Sequence, residues 1–382
     1  MNQAPFNIEI QSFSKEIEAF LDGAVLGSPG GIRYRVYRLD SMQHGQENTF
    51  YLSVYRRSTL VGVVGLVKRY SVKQTPWVYI RYLFIPNGRS KQGKNHIAKH
   101  SSNKAHSSAS RNSLLEQMIR DEITQWITDF QKVEHSNNGD YENTVNHDEV
   151  SWPHTWAYAF VESKNQQSLN LCNRFGFEAQ QLAETIVFHR FKPKQSAKIK
   201  KLGREELKVF KPKLERFYES FAAFHTEGLE IQGTHWVYLE NGVEIAYLRT
   251  MRHRWDIEEL PGYVRLLKKL KLHQAPFVKN MIPSDNFEFL SFDYLWCEPG
   301  YEANIQKIME HALCVEGLHT GLSWWSVRSS FYQRLKRKIS WGILNRIQGP
   351  VPLKIMGQAY GKQSSKGSFP EDAVFINAHD MT

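Results

Sequence analysis

The chain begins with an alternating stretch followed by a stretch of helical periodicity. NIEIQSF, from Asn7, alternates apolar and polar residues, which is typical of a half-buried strand. SKEIEAFLDGAVL follows, with apolar residues at helical spacing and Ser14 placed to cap the first turn. The pattern predicts a strand and then a helix.

Nearly the same order returns after Ala197, where AKIKKLGREELKVF precedes another helical stretch. Each half then carries two strands joined by a tight turn, FYLSVYRRSTLVGVVGLVKRYS and THWVYLENGVEIAYLRTMR. Asn241 and Gly242 suit the positive φ of the second turn. An apolar strand ending near a proline follows in both halves, WVYIRYLFIP and FEFLSFDYLWCEP. The chain therefore looks duplicated.

The remaining elements continue the repeat. They are helices from Ser113 and Tyr301, strands over 155–162 and 320–327, second helices near Gln167 and Ser329, and closing strands. The pattern predicts an α/β (α+β) fold of two domains in tandem, 1–195 and 196–382. Each is expected to be a mixed, mostly antiparallel sheet flanked by helices, with the boundary in the charged, proline-containing stretch 192–196.

Three inserts interrupt the repeat. A basic stretch from Gly88 to Asn112 and a polar stretch from Gln131 to Pro153 read as surface loops of the first half. In the second half, WDIEELPGYVRLLKKLKLHQAPFVKN precedes the Phe287 strand, and we expect a short amphipathic helix within it.

Composition sets the class of protein. The 382 residues are 41% hydrophobic and 23% charged, which suits two or three domains with their own cores and excludes disorder throughout. Mean hydropathy is −0.50, no apolar run is long enough for a membrane span, and the N-terminus lacks a secretion signal. Three cysteines without metal-ligand spacing predict reduced thiols and no metal site. We expect a cytoplasmic protein without a membrane partner.

Positive charge leaves nucleic acid as a possible partner. Lys and Arg number 49 against 39 Asp and Glu, a formal charge of +10. Cations concentrate in the Gly88 to Asn112 insert and in QRLKRK, which ends at Lys338. Neither stretch interleaves aromatic residues, and no known nucleic-acid-binding motif occurs. A nucleic-acid-binding module is therefore a disfavoured alternative.

The most specific motif is VESKNQQSLNLCNRFGFEAQ, from Val161 to Gln180. Its pattern N-x-x-S-x-x-L-x-x-x-x-G-F resembles the acyl-CoA-binding helix of the GNAT acetyltransferase superfamily. The resemblance implies an acyl-CoA N-acyltransferase-like fold in both halves and acetyl-CoA as cosubstrate. It also implies that Asn165 and Ser168 line the wall beside the pantetheine. As architecture the resemblance covers nearly the whole chain; as a motif it covers this helix.

The resemblance also implies where the rest of acetyl-CoA would bind. In that superfamily the fourth strand separates from the fifth, its edge pairs with the pantetheine, and the next helix N-terminus holds the pyrophosphate. The edge residues nearest the thioester would be Leu83, Phe84 and Ile85. The usual pyrophosphate pattern is interrupted, so two sets of ligands stay open: Arg89 and Gly93, or Ser110, Arg111 and Asn112.

Catalytic residues implied by the family are only partly present. The position of the proton-donating Tyr holds Cys172, and the usual fourth-strand carboxylate is replaced by Arg81 in the first half. The remaining carboxylates that could serve as base are Glu162, which ends the fifth strand, and Asp293 in the second half.

The second half departs further from the family pattern. Glu302 stands where the pyrophosphate would bind and no Gly-x-Gly is present, so CoA binding there is not expected. Ser326 and Ser329 fall on the Asn165 and Ser168 positions in our alignment of the halves.

The predicted function is an acetyl-CoA-dependent N-acetyltransferase acting on an unidentified small-molecule or peptide amine. Two alternatives stay open: a catalytically weak or inactive CoA-binding regulatory protein, and the basic interaction module. The sequence leaves the oligomeric state undetermined.

Overall fold

The structure is a computed structural model. It describes residues 6–28, 30–36, 48–73, 75–84, 105–137, 155–230, 233–261, 264, 285–360 and 369–381. For residues 105–113 and 131–137, only the backbone is described.

The strands and helices of the described residues have the following bounds. The strands are β1 Asn7–Gln11, β2 Arg33–Val36, β3 Thr49–Arg56, β4 Thr59–Tyr70, β5 Pro76–Phe84, β6 Thr155–Glu162, β7 Glu178–His189, β8 Ile199–Lys201, β9 Thr234–Glu240, β10 Val243–Glu259, β11 Asn286–Cys297, β12 Thr320–Ser326 and β13 Val351–Tyr360. The helices are α1 Lys15–Asp22, α2 Ala105–Asn137, α3 Gln166–Arg174, α4 Arg204–Tyr218, α5 Glu227–Glu230, α6 Glu302–Val315, α7 Ser330–Lys338, α8 Ile343–Gln348 and α9 Ala378–Met381.

The described strands form one sheet that runs through both halves. Its order is β1-β3-β4-β5-β6-β13-β7-β12-β11-β10-β9-β8, and β2 pairs with β10 off this path. The pairs are antiparallel except β5 with β6 and β11 with β12. Apart from β2, the first half runs β1-α1-β3-β4-β5-α2-β6-α3-β7, and the second half repeats that order from β8 to β13 with the short helices α5 and α8 added. The predicted fold class, a mixed and mostly antiparallel sheet flanked by helices in each half, is confirmed.

The two halves exchange their last strands at the centre of the sheet. The C-terminal strand β13 lies between β6 and β7, which both belong to the first half. In turn β7 lies between β13 and β12, so the closing strand of the first half pairs with the second half on both edges. The division at 195/196 therefore stays a prediction about the sequence repeat, because the hydrogen-bonded sheet crosses it.

Local sequence explains the element boundaries. Ser14 caps α1, because its side chain accepts a hydrogen bond from Ile17 N at 3.3 Å. Asn241 and Gly242 have φ of +52° and +80°, as the predicted turn requires. Helix α2 begins at Ala105, earlier than the predicted Ser113.

The first residues of the insert before the Phe287 strand form a strand, which the sequence did not predict. Residues 255–259 extend β10 and pair with β2, because the chain from α1 supplies a strand partner there. Residues 262, 263 and 265–280 of this insert, where the short helix is expected, lie outside the described residues.

Apolar side chains bury both faces of the sheet. On one face, α2 and α3 cover a first-half core, and α6 and α7 cover a second-half core. On the opposite face, a cluster spans both halves and includes Trp77, Trp156, Trp324 and the C-terminal segment, residues 369–381. None of the helices in the described part of the chain is long and apolar enough to cross a membrane.

Candidate functional site

The strands β5 and β6 separate part-way along their length. They run parallel and pair at Trp77 with Trp156, Val78 with Ala157 and Tyr79 with Tyr158. Beyond these pairs, their described residues do not pair with each other, although β5 continues to Phe84 and β6 to Glu162. We call the gap between β5 and β6 beyond Tyr79 and Tyr158 the first opening. It is flanked by two strand edges that do not bond to each other.

A bulge in β5 accompanies the separation. Gly65 of β4 pairs with Arg81 and Val63 pairs with Phe84, so two residues of β5 stand opposite one of β4. Tyr82 lies in this bulge with φ of +52°. A non-glycine residue in that region costs about 1–3 kcal/mol, and such residues concentrate at functional sites.

The second half has a similar bulge and a similar separation of two parallel strands. Tyr294 has φ of +50° in a bulge of β11 opposite β10. Strands β11 and β12 pair only at Leu290 with Gly321 and Ser291 with Leu322. The gap beyond these pairs is the second opening.

Glu162 lies at the first opening, as its place at the end of β6 predicted. Its carboxylate accepts a hydrogen bond from the Ser28 hydroxyl, and Ser28 is buried. Burial raises the pKa of Tyr34 well above its usual value, and the negative charge of Glu162 adds to the effect. Tyr34 stacks on Trp255 of the second half at a ring distance of 3.8 Å. Both halves therefore build the surroundings of this carboxylate.

Arg81 lies on the other strand of the same opening. Its guanidinium donates to the Tyr82 hydroxyl and lies 4.2 Å from the centre of the Tyr82 ring. Gly65 makes room for it, because a Cβ at that position would lie 2.6 Å from Arg81 Cγ. We call Tyr34, Arg81, Tyr82 and Glu162 the Arg81 cluster.

The helix α3 begins beside the end of β6. Asn165 is its N-cap, and the side-chain oxygen accepts from Ser168 N at 3.1 Å. This confirms the predicted helix start. In the second half, Ser329 caps α7 by accepting from Tyr332 N at 3.1 Å. Ser329 thus matches Asn165, and the predicted match of Ser326 with Asn165 was wrong by three residues.

Cys172 lies on the inner face of α3. It is 4% exposed and packs in the first-half core with Leu169, Phe175 and Phe177. Burial raises the pKa of its thiol to about 11. The thiol therefore stays protonated at neutral pH, in apolar surroundings.

Asp293 holds a structural ion pair within the second half. It accepts from Arg249 Nε at 2.8 Å and from Ala378 N at 3.1 Å. Arg249 is fully buried and Asp293 is 4% exposed. The aspartate is thus occupied by a buried partner.

The C-terminal segment closes the second opening. Val374, Phe375 and Ile376 line it together with residues of β11 and β12. The segment is held there by backbone bonds to Ala222 and by a bond from Asn377 Nδ2 to the Tyr294 hydroxyl at 3.2 Å. The C-terminal segment therefore forms one wall of the second opening.

The same segment then reaches the first half. Arg69 of β4 forms a buried ion pair with Asp380, and the Tyr79 hydroxyl donates to Asp380 O at 2.6 Å. Arg69 also lies 2.8 Å from His225 Nε2. These contacts tie the end of the chain to the strand β5 that borders the first opening.

The other residues implied for acetyl-CoA are placed only in part. Leu83 and Phe84 are half-buried near the end of β5, at the first opening. Ile85, Arg89 and Gly93 lie outside the described residues. Ser110, Arg111 and Asn112 lie in the first turns of α2, where only the backbone is described.

Several residues near the site were not proposed as functional from the sequence. Ser28, Tyr34 and Trp255 come together only because β2 crosses to pair with β10. Asp380 comes from the far end of the chain. The alternating stretch GIRYRV around Tyr34 could have indicated a strand, but no local pattern gives its partner.

No protein-family model matches the chain, and no curated protein matches it in sequence. Solved structures to which it is similar include Saccharomyces cerevisiae N-myristoyltransferase with bound myristoyl-CoA, at 10% identity and a TM-score of 0.49, covering 98% of this chain and 90% of that one. A tandem GNAT protein from the clavulanic acid biosynthesis pathway is 9% identical, with a TM-score of 0.47 over 94% of this chain and 100% of that one. A GCN5-related N-acetyltransferase from Anabaena variabilis is 9% identical, with a TM-score of 0.39 over 92% of this chain and 72% of that one.

Proposed function

We propose that the chain is an acyl-CoA-dependent N-acyltransferase that uses acetyl-CoA and acts at the first opening. Its acceptor would be a small-molecule or peptide amine. The observation that carries the proposal is the separation of β5 from β6 after three residue pairs, with Glu162 at one edge and the Asn165-capped helix α3 directly after it.

The first opening fits the pantetheine part of an acyl-CoA. Its amides need backbone donors and acceptors, which the facing edges of two separated strands offer. The positive end of α3 and the Asn165 and Ser168 side chains lie beside the end of β6. The second opening is a weaker candidate, because the C-terminal segment lines it and because Asp293 there is already bonded to Arg249 and to Ala378 N.

Glu162 is the residue we propose as base. The acyl-CoA thioester supplies the acyl group, and its C–S bond breaks as the amine nitrogen forms the C–N bond. An amine must first lose the proton of its ammonium form, and a carboxylate at the opening can accept it directly or through water. Ser28 orients that carboxylate by donating to it. Asp293 serves this role less well because Arg249 and Ala378 N occupy its oxygens.

Cys172 stays the proposed proton donor to the departing CoA thiolate. Its thiol is protonated at neutral pH, because burial holds its pKa at about 11. Packing among apolar side chains is the competing role. Cys172→Ala should lower transfer by about a hundredfold if the thiol donates. An unchanged rate would assign Cys172 to packing and the proton to water.

Binding of acetyl-CoA tests the proposal on the full chain. Calorimetric titration should show saturable binding, and a hundredfold excess over the dissociation constant should stabilise the protein by about 2.7 kcal/mol. Asn165→Ala should weaken the binding. Ser329→Ala is the matched control, because it removes the equivalent helix cap from the second half. Absence of binding, or equal weakening by both variants, would contradict the proposal.

Transfer is tested separately from binding. Glu162→Gln should lower acetyl transfer by about 10²–10⁴-fold and leave acetyl-CoA affinity nearly unchanged. If wild type binds acetyl-CoA yet transfers to no amine, the chain is the inactive CoA-binding protein of the alternative.

The nucleic-acid alternative has weaker support. Two of the cations in its second basic stretch form ion pairs at 3.0 Å, Arg334 with Glu302 and Lys336 with Glu184. The first basic stretch lies largely outside the described residues. Polynucleotide added to the titration should not displace acetyl-CoA, whereas displacement would favour the alternative.

A further inference from the structure

Arg81 is a buried cation that forms no ion pair with the described residues. The charge of Asp380 acts on it at longer range, but Asp380 is bonded to Arg69. Its side chain is 7% exposed, and its Nε has no hydrogen-bond partner. None of the ion pairs among the described residues includes it, whereas the other two buried arginines, Arg69 and Arg249, pair with Asp380 and Asp293. A buried guanidinium without a counter-charge is costly, so a ligand anion would offset that cost.

The position of Arg81 separates it from the helix that would line the pantetheine. It lies over Gly65, which pairs with Tyr51, and Tyr51 packs with Ile17 of α1. Cys172 of α3 packs on the opposite face of the sheet. Arg81 is therefore on the α1 side of the first opening, the side on which Tyr34 and Tyr82 also lie.

We propose that Arg81 binds a carboxylate group of the amine acceptor; this rests on the proposed acyl transfer at the first opening. A guanidinium pairs with a planar carboxylate through parallel N–H donors. In the Arg81 cluster the cation lies against Tyr82 and the Glu162 carboxylate lies near Tyr34, and these two tyrosines lie near each other. A molecule carrying an amine and a carboxylate complements both charges. A phosphate dianion would be repelled by Glu162.

The acceptor class is therefore an amino acid or another amino-carboxylate. The same chemistry has a second source, because a dicarboxylic acyl group on CoA would also bring a carboxylate to the opening. The geometry favours the acceptor, since Arg81 lies on the face opposite α3.

The test compares carboxylates with their amides on the full chain. CoA release is followed with acetyl-CoA and glycine, alanine, phenylalanine, glutamate and lysine, and with the amide of each. In parallel, binding of the N-acetylated acids and amides is titrated in the presence of CoA. We expect at least one acid to exceed its amide by about tenfold or more in kcat/KM or affinity, the effect of a charged hydrogen bond.

Variants locate the discrimination at Arg81. Arg81→Met should remove the preference for the acid, and Arg81→Lys should retain part of it. Gly65→Ala should weaken it without changing charge, because the new Cβ would displace the Arg81 side chain. Arg252→Met is the matched control, because Arg252 is half exposed and pairs with Glu288 on the second half.

The outcomes separate this inference from the proposed function. The acceptor assignment would be overturned if acids and amides are used or bound alike, or if no carboxylate binds at millimolar concentration. It would also be overturned if Arg81→Met keeps the preference for the acid. Acetyl-CoA binding is measured in the same samples, so its absence would count against the proposed function instead. A second arm compares succinyl-CoA with acetyl-CoA; an Arg81-dependent preference for succinyl-CoA would move the carboxylate to the acyl group and overturn the acceptor assignment.

Discussion

The two openings in the sheet are built alike and completed differently. Both follow a bulge with a tyrosine at positive φ, Tyr82 in β5 and Tyr294 in β11. In the second opening Arg249 and Asp293 neutralise each other, and the C-terminal segment lines the gap. In the first opening Arg81 and Glu162 lie on separate strands and do not pair with each other. The same bulge and strand separation thus accompany a neutralised ion pair in one half and two charges that are not paired with each other in the other half.

Separating the halves should have the largest effect. Residues 1–195 alone would lose β13, which pairs with both β6 and β7, and would expose two strand edges. We expect neither 1–195 nor 196–382 to fold alone, and both to fold when produced together. Circular dichroism and co-purification measure this. A monomeric, cooperatively unfolding 1–195 fragment would show that the exchanged strand is dispensable.

Breaking the ion pair between Arg249 and Asp293 at the second opening should have the second-largest effect on stability. Arg249→Met leaves Asp293 buried without its partner, which costs about 3–5 kcal/mol of unfolding free energy. Denaturant unfolding measures the loss, with Arg252→Met as the exposed control. A loss below about 1 kcal/mol would mean that water reaches Asp293.

Acid should destabilise the protein through buried histidines. Burial lowers the pKa of His189 to about 4, with the charges of His319 and Arg190 adding to the effect. The unfolded chain, with a pKa near 6.5, binds the proton first, so stability present above pH 6.5 is lost as pH falls towards 4. The loss should reach roughly 3 kcal/mol for this histidine. His189→Gln should flatten that part of the pH profile; an identical profile would refute the assignment.

The smallest effect on the free energy of unfolding is expected at Arg81, where we expect a substitution to stabilise the protein. Arg81→Met removes a buried cation that has no acidic partner among the described residues, so we expect about 1 kcal/mol of added stability. Unfolding is measured beside Arg249→Met. Equal destabilisation by both variants would mean that the two arginines are held alike, which would remove the contrast between the openings.

Local patterns predicted the elements well where the physics is local. Ser14, Asn165 and Ser329 each accept a backbone N–H at a helix start, and a cap needs only neighbouring residues. The alternation of β1 and the turn at Gly242 depend on equally short stretches. Longer-range features were missed. The predicted match of Ser326 with Asn165 was wrong, because the sequence alone does not show which of the two serines caps α7.

The sequence predicted the positions of some residues of the candidate site and not the surroundings of others. Glu162 and Asn165 lie at the first opening because both follow directly from where β6 ends. The lack of an ion pair at Arg81 among the described residues could not be predicted, because it depends on Gly65 opposite and on which side chains distant elements bring beside it. The burial of Cys172 likewise depends on how α3 is turned against the sheet.

The sequence by itself determined the repeat of elements, the helix caps and the carboxylate at the end of β6, because periodicity and capping act over a few residues. Only the tertiary structure decided which strands pair at the centre, and that Asp380 reaches Arg69 from the other end of the chain. It also decided that Asp293 pairs with Arg249, whereas Arg81 forms no ion pair within the described part of the chain. These outcomes depend on contacts between residues far apart in sequence, where burial and the nearest opposite charge set the energy.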